Sequence, residues 1–323
     1  MLVIILPFLL AAHVAVDESS YNSDWQRYGL ESTYDVLVNM SLSNIVHHRD
    51  NFCSMLATEL KCRSKGSDTL GCRFANGRIV RPDPEDDRCT NAKNFVPVSN
   101  RFVDEQPFEV RFNSRGIENL VVSRSIARWR LDMIRAIIGQ LNVGFELEKG
   151  RQRFVTMENS SIGYCEVEIR MSRAGYGRED TVERHRPFEI VFEPDRPDML
   201  PLNRAVLQIE KVRKPKSCPN RKIYFFGNHE DFSGGHKNTF MDMTTSLSYM
   251  RISERGMHSY TESTGIMRTL NKPRTMQLHQ KISVTLKDIN PAHYDFPEIV
   301  DPASTSLYAY TNLERIPEET QMG

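Results

Sequence analysis

The sequence predicts a mainly β protein, one antiparallel sheet curled into a β-barrel around a single central helix. Three observations predict it. Short runs rich in Val, Ile, Thr, Tyr and Phe, bounded by Gly, Asn, Asp and Pro, recur along the chain, which is strand texture. A single long segment, Ser125–Leu141, carries helical periodicity. Neither heptads, low-complexity tracts nor internal repeats interrupt the 323 residues, a length that suits one large domain or two small ones. Curling the sheet around the helix buries the helix and reduces exposed strand edges.

The first element is an apolar run without charge, Leu2–Ala12; the first charged side chain is Asp17. A membrane span needs about 20 apolar residues, so this run is too short to cross and reads as the core of a secretory signal peptide over residues 1–16. Ala12 and Ala15 offer small residues for cleavage. With no other span-length apolar stretch, the mature protein is expected to be secreted, extracellular and without a transmembrane segment.

Tyr34, Val36, Val38, Met40 and Leu42 alternate, the period of a half-buried strand. From Cys53 to Val80 paired segments are expected, with turns at Lys65-Gly66-Ser67 and at Asn76-Gly77, a strong hairpin dipeptide. Phe108, Val110 and Phe112 form the next strand, and Asn113–Gly116 turns it into Ile117–Val122. In Ser125–Leu141 the apolar residues Ala127, Leu131, Ile134, Ile138 and Leu141 step by 4, 3, 4 and 3, one face of a helix. Ser125 is the expected cap at its start and Gly144 its stop. Short strands follow over Arg153–Met157, Ile162–Met171, Pro187–Phe192, Ala205–Val212 and Lys222–Gly227. Longer ones, rich in Thr, Ser and Met, cover Phe240–Ile252, Gly256–Leu270 and Met276–Leu286. Residues 314–323 read as a flexible tail.

Six cysteines, Cys53, Cys62, Cys72, Cys89, Cys165 and Cys218, suit export and three bridges, but spacing leaves their pairing open. No two have the C-x-x-C spacing of a zinc or redox centre. Asn39-Met40-Ser41 and Asn159-Ser160-Ser161 are N-glycosylation sequons.

Several segments, in order, resemble the N-terminal domain of insect vitellogenins. They are Pro107–Phe112, Gly116–Val122, Trp129–Arg135 through Gln140-Leu141, Thr156-Met157-Glu158 with Gly163–Val167, and Ile209–Arg213 with Cys218 and Tyr224–Gly227. That domain is shared by the large lipid transfer proteins, including apolipoprotein B and the microsomal triglyceride transfer protein. The likeness runs from about Trp25 to Leu313 and assigns residues 17–313 to the barrel module. It implies an antiparallel barrel of the lipovitellin N-sheet type around one helix, a bridge between Cys165 and Cys218, and lipid as the partner. The chain stops near the end of the barrel and is similar to the short vitellogenin-like proteins of insects.

Catalytic constellations are not evident. The sequence contains no Gly-x-Ser-x-Gly elbow, phosphate-binding loop or His-Glu-x-x-His motif, so neither an enzyme nor a cofactor is expected. Adjacent His47 and His48 point to opposite faces of an extended segment and do not converge. His229 and His236, with Glu230 and Asp231 between them, form a weak metal candidate; a Gly234-Gly235 turn accounts for the same segment without metal.

Charge concentrates at Lys211, Arg213, Lys214, Lys216, Arg221 and Lys222, with no acidic residue among them. Such a cluster binds sulfated sugars, anionic lipid heads or acidic receptor repeats, or is a solvated loop. In the resembled family this module is associated with receptor docking, so a cell-surface lipoprotein-type receptor is a possible partner. Over the whole chain Lys+Arg and Asp+Glu are both 42, which argues against a generally cationic nucleic-acid binder. The functional expectation is a secreted lipid transporter or lipid-binding protein. The alternative is a secreted recognition protein for receptors, glycans or pathogen surfaces without bulk lipid.

Overall fold

The computed structural model describes residues 1–14, 27–44, 52–82, 95–99, 105–146, 152–175, 187–192, 205–218, 239–269, 272–308 and 314–315. Their strands, in chain order, are β1 (Leu2–Leu6), β2 (Leu10–Val14), β3 (Leu30–Asn44), β4 (Phe52–Ser64), β5 (Thr69–Pro82), β6 (Phe95–Ser99), β7 (Phe108–Asn113) and β8 (Gly116–Ser123). After helix α1 (Arg128–Ile138) come β9 (Arg153–Ser160), β10 (Gly163–Gly175), β11 (Phe188–Phe192), β12 (Ala205–Arg213), β13 (Thr239–Ser253), β14 (Gly256–Thr269), β15 (Lys272–Pro291), β16 (Pro302–Thr305) and β17 (Glu314–Arg315).

A 14-stranded antiparallel sheet runs in the order β17-β16-β8-β7-β5-β4-β3-β15-β14-β13-β12-β10-β9, with β6 added on β5. The expected barrel is not closed: among the described residues its two ends, β17 and β9, do not pair. One end tapers into strands of four and two residues, too short a ladder to meet β9 along its length. The segment expected as a flexible tail contributes one of these, since Glu314–Arg315 pairs with β16.

The alternation in β3 has its predicted consequence. Tyr34, Val36, Val38, Met40 and Leu42 are all buried, and residues between them face outward. Tyr34, Val36 and Val38 meet α1 across the concave side of the sheet in one large apolar cluster, and Met40 and Leu42 belong to a second, smaller one. From Leu131 to Ile138 every residue of α1 is buried, as a helix surrounded by sheet requires. The helix is shorter than its stripe. Ala127 is its N-cap, exposed and without a side-chain cap bond, while the Ser125 hydroxyl pairs with Ser123 instead. Gly139 closes the α-helix and Gly139–Leu141 continues as a 3-10 turn.

Asn76-Gly77 does not turn a hairpin. It lies inside β5, where Asn76 adopts φ 54° and the register with β4 shifts between Ala57 and Glu59. The left-handed backbone that Asn tolerates serves a β-bulge, because β4 continues past it on both sides. The Lys65–Ser67 and Asn113–Gly116 turns are where the sequence places them.

The run read as a leader is two strands of the described fold. β1 and β2 form a hairpin, and β2 pairs with β11 to make a separate three-stranded sheet. Val3, Ile5, Leu6, Leu9, Leu10, Ala12 and Val14 belong to the main apolar cluster. An uncharged apolar run satisfies a buried hairpin as well as it satisfies a signal peptide.

Candidate functional site on the concave face

Antiparallel register decides which side chains share the concave face. Rows of directly opposed residues cross it from β3 to β12. One row is Val36, Val284, Ser259, Met250 and Ile209; the next is Val38, Ile282, Thr261, Ser248 and Lys211. A third is Met40, Gln280, Ser263, Ser246 and Arg213. Beyond it Leu42 and Leu278 lie opposite each other, Leu278 opposes Gly265, and Gly265 opposes Met243. The face therefore passes from the apolar surroundings of α1, through a buried polar belt, to a second apolar cluster of Met40, Leu42, Met243 and Leu278.

Glu158 anchors the polar belt at the end of the helix. Its carboxylate accepts from Lys211 Nζ at 2.6 Å and from Arg213 Nη2 and Nε at 2.7 and 3.0 Å. Lys211 Nζ also donates to the Asn142 carbonyl at 2.8 Å, and the Asn142 side chain accepts from the Ile117 amide at 2.9 Å. β9, β12, the helix exit and the β7–β8 turn are thus fastened at one point. Burial would push the Glu158 carboxyl up, but Arg213 and Lys211 outweigh it and hold it below the usual range. Burial pushes Lys211 down, against the pull of Glu158.

Two glycines make the approach possible. Gly116 has φ 134°, and a Cβ there would stand 2.3 Å from Asn142 Oδ1. Gly144 has φ 78°, and a Cβ there would stand 2.3 Å from Glu158 Oε1. Farther into the belt, the Thr261 hydroxyl donates to Gln140 Oε1 at 2.8 Å, tying β14 to the 3-10 turn. At the opposite side of the helix Arg135, buried, donates to Asp132 Oδ1 at 3.1 Å, to Thr305 Oγ1 at 2.6 Å and to the Ser306 carbonyl at 3.0 Å.

This geometry divides the basic cluster. Lys211 and Arg213 are buried ion-pair partners of Glu158, not members of a docking surface. The reason is strand parity: they continue the inward positions of Leu207 and Ile209 along β12. That parity was readable, and it is the signal by which Lys211 and Arg213 were separable from the loop that follows. Lys214 is exposed and paired with Glu166, and Lys216 is exposed. Arg221 and Lys222 lie outside the described residues, as do His47, His48, His229, His236 and Cys89.

Cys165 is bridged to Cys218 and Cys62 to Cys72; Cys53 is also disulfide-bonded. Asn39 is exposed in β3 and Asn159 is exposed at the end of β9. Among the described residues no group of three or more His, Cys, Asp or Glu side chains is placed to hold a metal ion. Among them, too, no helix is long and apolar enough to cross a membrane.

Residues 97–294 match the family model of the vitellogenin N-terminal domain. The chain belongs to this family. Its structure also aligns with a solved lipovitellin structure, described for lipid–protein interactions in lipovitellin, at a TM-score of 0.55 and 12% identity. That alignment covers 84% of this chain and 26% of the lipovitellin chain, so the likeness is one of fold over about a quarter of a longer protein. A LolA superfamily protein, NE2245 from Nitrosomonas europaea, aligns over 88% of this chain and 99% of its own at 10% identity, with a TM-score of 0.13. In a vitellogenin N-terminal domain, the antiparallel sheet with one enclosed helix is the expected frame.

Proposed function

We propose that this vitellogenin-type module is a secreted lipid-binding protein that acts by non-covalent binding rather than catalysis. The observation that carries the reading is the family match over residues 97–294. The concave face supports it, because buried apolar surface there flanks a band of hydroxyls and a carboxamide, the mixture an amphipathic ligand requires. Methionines at Met40 and Met243 supply adaptable apolar contacts. The apolar leader-like run, the bridged cysteines and the exposed sequon residues Asn39 and Asn159 suit passage through the secretory route and glycosylation at both sites.

The test is organic extraction and mass spectrometry of the protein purified from secretion medium. Lipid in near-stoichiometric amount, above that on a control protein from the same medium, is expected. Protein free of lipid would end this reading. Receptor docking through the basic loop is a smaller proposal that now rests on Lys214, Lys216, Arg221 and Lys222, since Lys211 and Arg213 are consumed by Glu158. The recognition-protein reading loses the same two cations.

A further inference from the structure

Three of the seven large apolar side chains exposed among the described residues, Val155, Met157 and Tyr164, lie together on β9 and β10. Strand parity puts them there. Glu158 is buried on the concave side, so Val155, Met157 and Asn159 point out of the convex one. On β10 the buried Cys165 leaves its neighbour Tyr164 outside. Register then sets the neighbours: Asn159 lies directly opposite Tyr164, Met157 opposite Glu166 and Val155 opposite Glu168. Val155 is 56% exposed, Tyr164 43% and Met157 38%. The two glutamates do not cover them, because Glu166 is drawn to Lys214, and Glu168 to Arg153 and Arg170.

β9 is also the last strand of the sheet. Among the described residues no strand pairs with its far side. The opposite end of the sheet tapers into strands of four and two residues, but β9 has eight, with neither Pro nor Gly. Its ladder with β10 runs without a register shift, so no bulge twists it away. A regular edge with outward apolar side chains is a template for another strand, unless charge, proline, a bulge or a cover blunts it. Arg153 supplies charge at one end. The other end carries Asn159, the acceptor of the sequon Asn159-Ser160-Ser161, exposed and two positions before the turn that joins β9 to β10.

We propose that Asn159 carries an N-linked glycan whose first sugar packs on Tyr164 and Met157, and that this glycan keeps edge strand β9 from pairing with another chain. The proposal rests on the secretory reading above. In the transfer, Asn159 Nδ2 attacks the anomeric carbon of N-acetylglucosamine in a lipid-diphosphate-linked oligosaccharide. The C–N bond forms as the C–O bond to the diphosphate breaks; the diphosphate leaves with the bonding electrons, and the amide nitrogen gives up one proton. Directly opposed residues of an antiparallel pair have Cβ atoms about 5 Å apart, and diagonal ones remain within reach of long side chains. The apolar face of a sugar on Asn159 therefore meets the ring of Tyr164 and the side chain of Met157. The hydrated remainder stands beside the free backbone groups of β9, bulky enough to exclude a second strand. The sequon at Asn39 differs in place. It lies in β3, whose ladder is filled on both sides by β15 and β4, so a glycan there guards no edge.

The experiment uses the full chain expressed with its own leader in eukaryotic cells, glycopeptide mass spectrometry to locate the sugars, and light scattering over a range of concentrations. Wild type is expected to be glycosylated at Asn159 and monomeric. Asn159→Gln, and Ser161→Ala, which keeps the asparagine but removes the sequon, should each associate, with an apparent mass that rises about twofold or more with concentration. Adding Met157→Lys to Asn159→Gln should return the monomer, because charge blunts the same edge. Asn39→Gln should stay monomeric. The proposal is overturned if Asn159 is bare in protein glycosylated at Asn39, if both variants lacking the sequon remain monomeric, or if Asn39→Gln associates as they do. Where those variants are not secreted, wild type stripped of its glycans by a glycosidase under native conditions decides in the same way. Protein retained in the cells and bare at both sites ends the secretory reading and this proposal together.

Discussion

α1 and the β1–β2 hairpin both bury apolar side chains in the same core on the concave side of one sheet. They are nonetheless different kinds of filling. The helix brings its own polar fastenings: Arg135 to Asp132 and Thr305, Gln140 to Thr261, and the helix exit to Lys211 and Glu158. Among the described residues the hairpin brings apolar surface, a backbone ladder to β11 and one side-chain hydrogen bond, accepted from Tyr34. Apolar burial is non-directional, so any apolar body of similar shape can supply it. Buried ion pairs are directional, and removing one partner strands the other. The contrast separates an element fastened by buried side-chain polar bonds from one held by apolar burial and by the backbone ladder to β11.

The largest effect should come from the helix itself. Ile134→Asp puts an unpaired carboxylate where the native side chain is 2% exposed. The expected cost exceeds about 4 kcal/mol, seen as failure of secretion or loss of a cooperative melt. A variant secreted and melting like the wild type would show that the helix is not core.

Next is the fastening at Glu158. Glu158→Gln leaves Lys211 and Arg213 buried without their anion, an expected loss of about 3–5 kcal/mol by chemical denaturation near neutral pH. The carboxyl is held below its unfolded value, so its contribution is complete above about pH 4.3 and is lost as pH falls through the lower folded value. The gap between wild type and Glu158→Gln should therefore be widest above that pH and narrow in acid. A gap independent of pH would remove the ion cluster as its cause.

The bridges come third. Cys165–Cys218 closes a separation of 53 residues and Cys62–Cys72 one of 10. On loop-closure entropy the first is worth about 4 kcal/mol and the second about 3, so replacing the 165–218 pair by Ser should lower the denaturation midpoint further. The reverse order would mean that residual structure or strain, rather than loop length, sets their values.

The smallest effect belongs to the hairpin. In the full chain Tyr34→Phe should cost about 1 kcal/mol, because one hydrogen bond is lost and shape is kept. A cost as large as that of Glu158→Gln would place the hairpin among the fastened elements and erase the contrast.

Much of this was determined by the sequence alone, wherever a local period decides the outcome. Alternation at Tyr34, Val36, Val38, Met40 and Leu42 made β3 half-buried, and the steps through Leu131, Ile134, Ile138 and Leu141 made one buried helix. Each is a repeat that a single element must satisfy by itself. Tertiary structure decided what no single element contains. Lys211 and Arg213 look like part of a basic loop until Glu158, 53 and 55 residues away in sequence, faces them across β10. Asn76-Gly77 looks like a hairpin until β4 runs past it. The polar belt of Ser246, Ser263, Gln280 and Thr261 exists only in register, because each strand supplies one or two of its side chains. Leu2–Val14 satisfies a leader and a core hairpin equally, since both need only an uncharged apolar run. Which it is depends on partners such as Tyr34 and β11, brought to it by the fold.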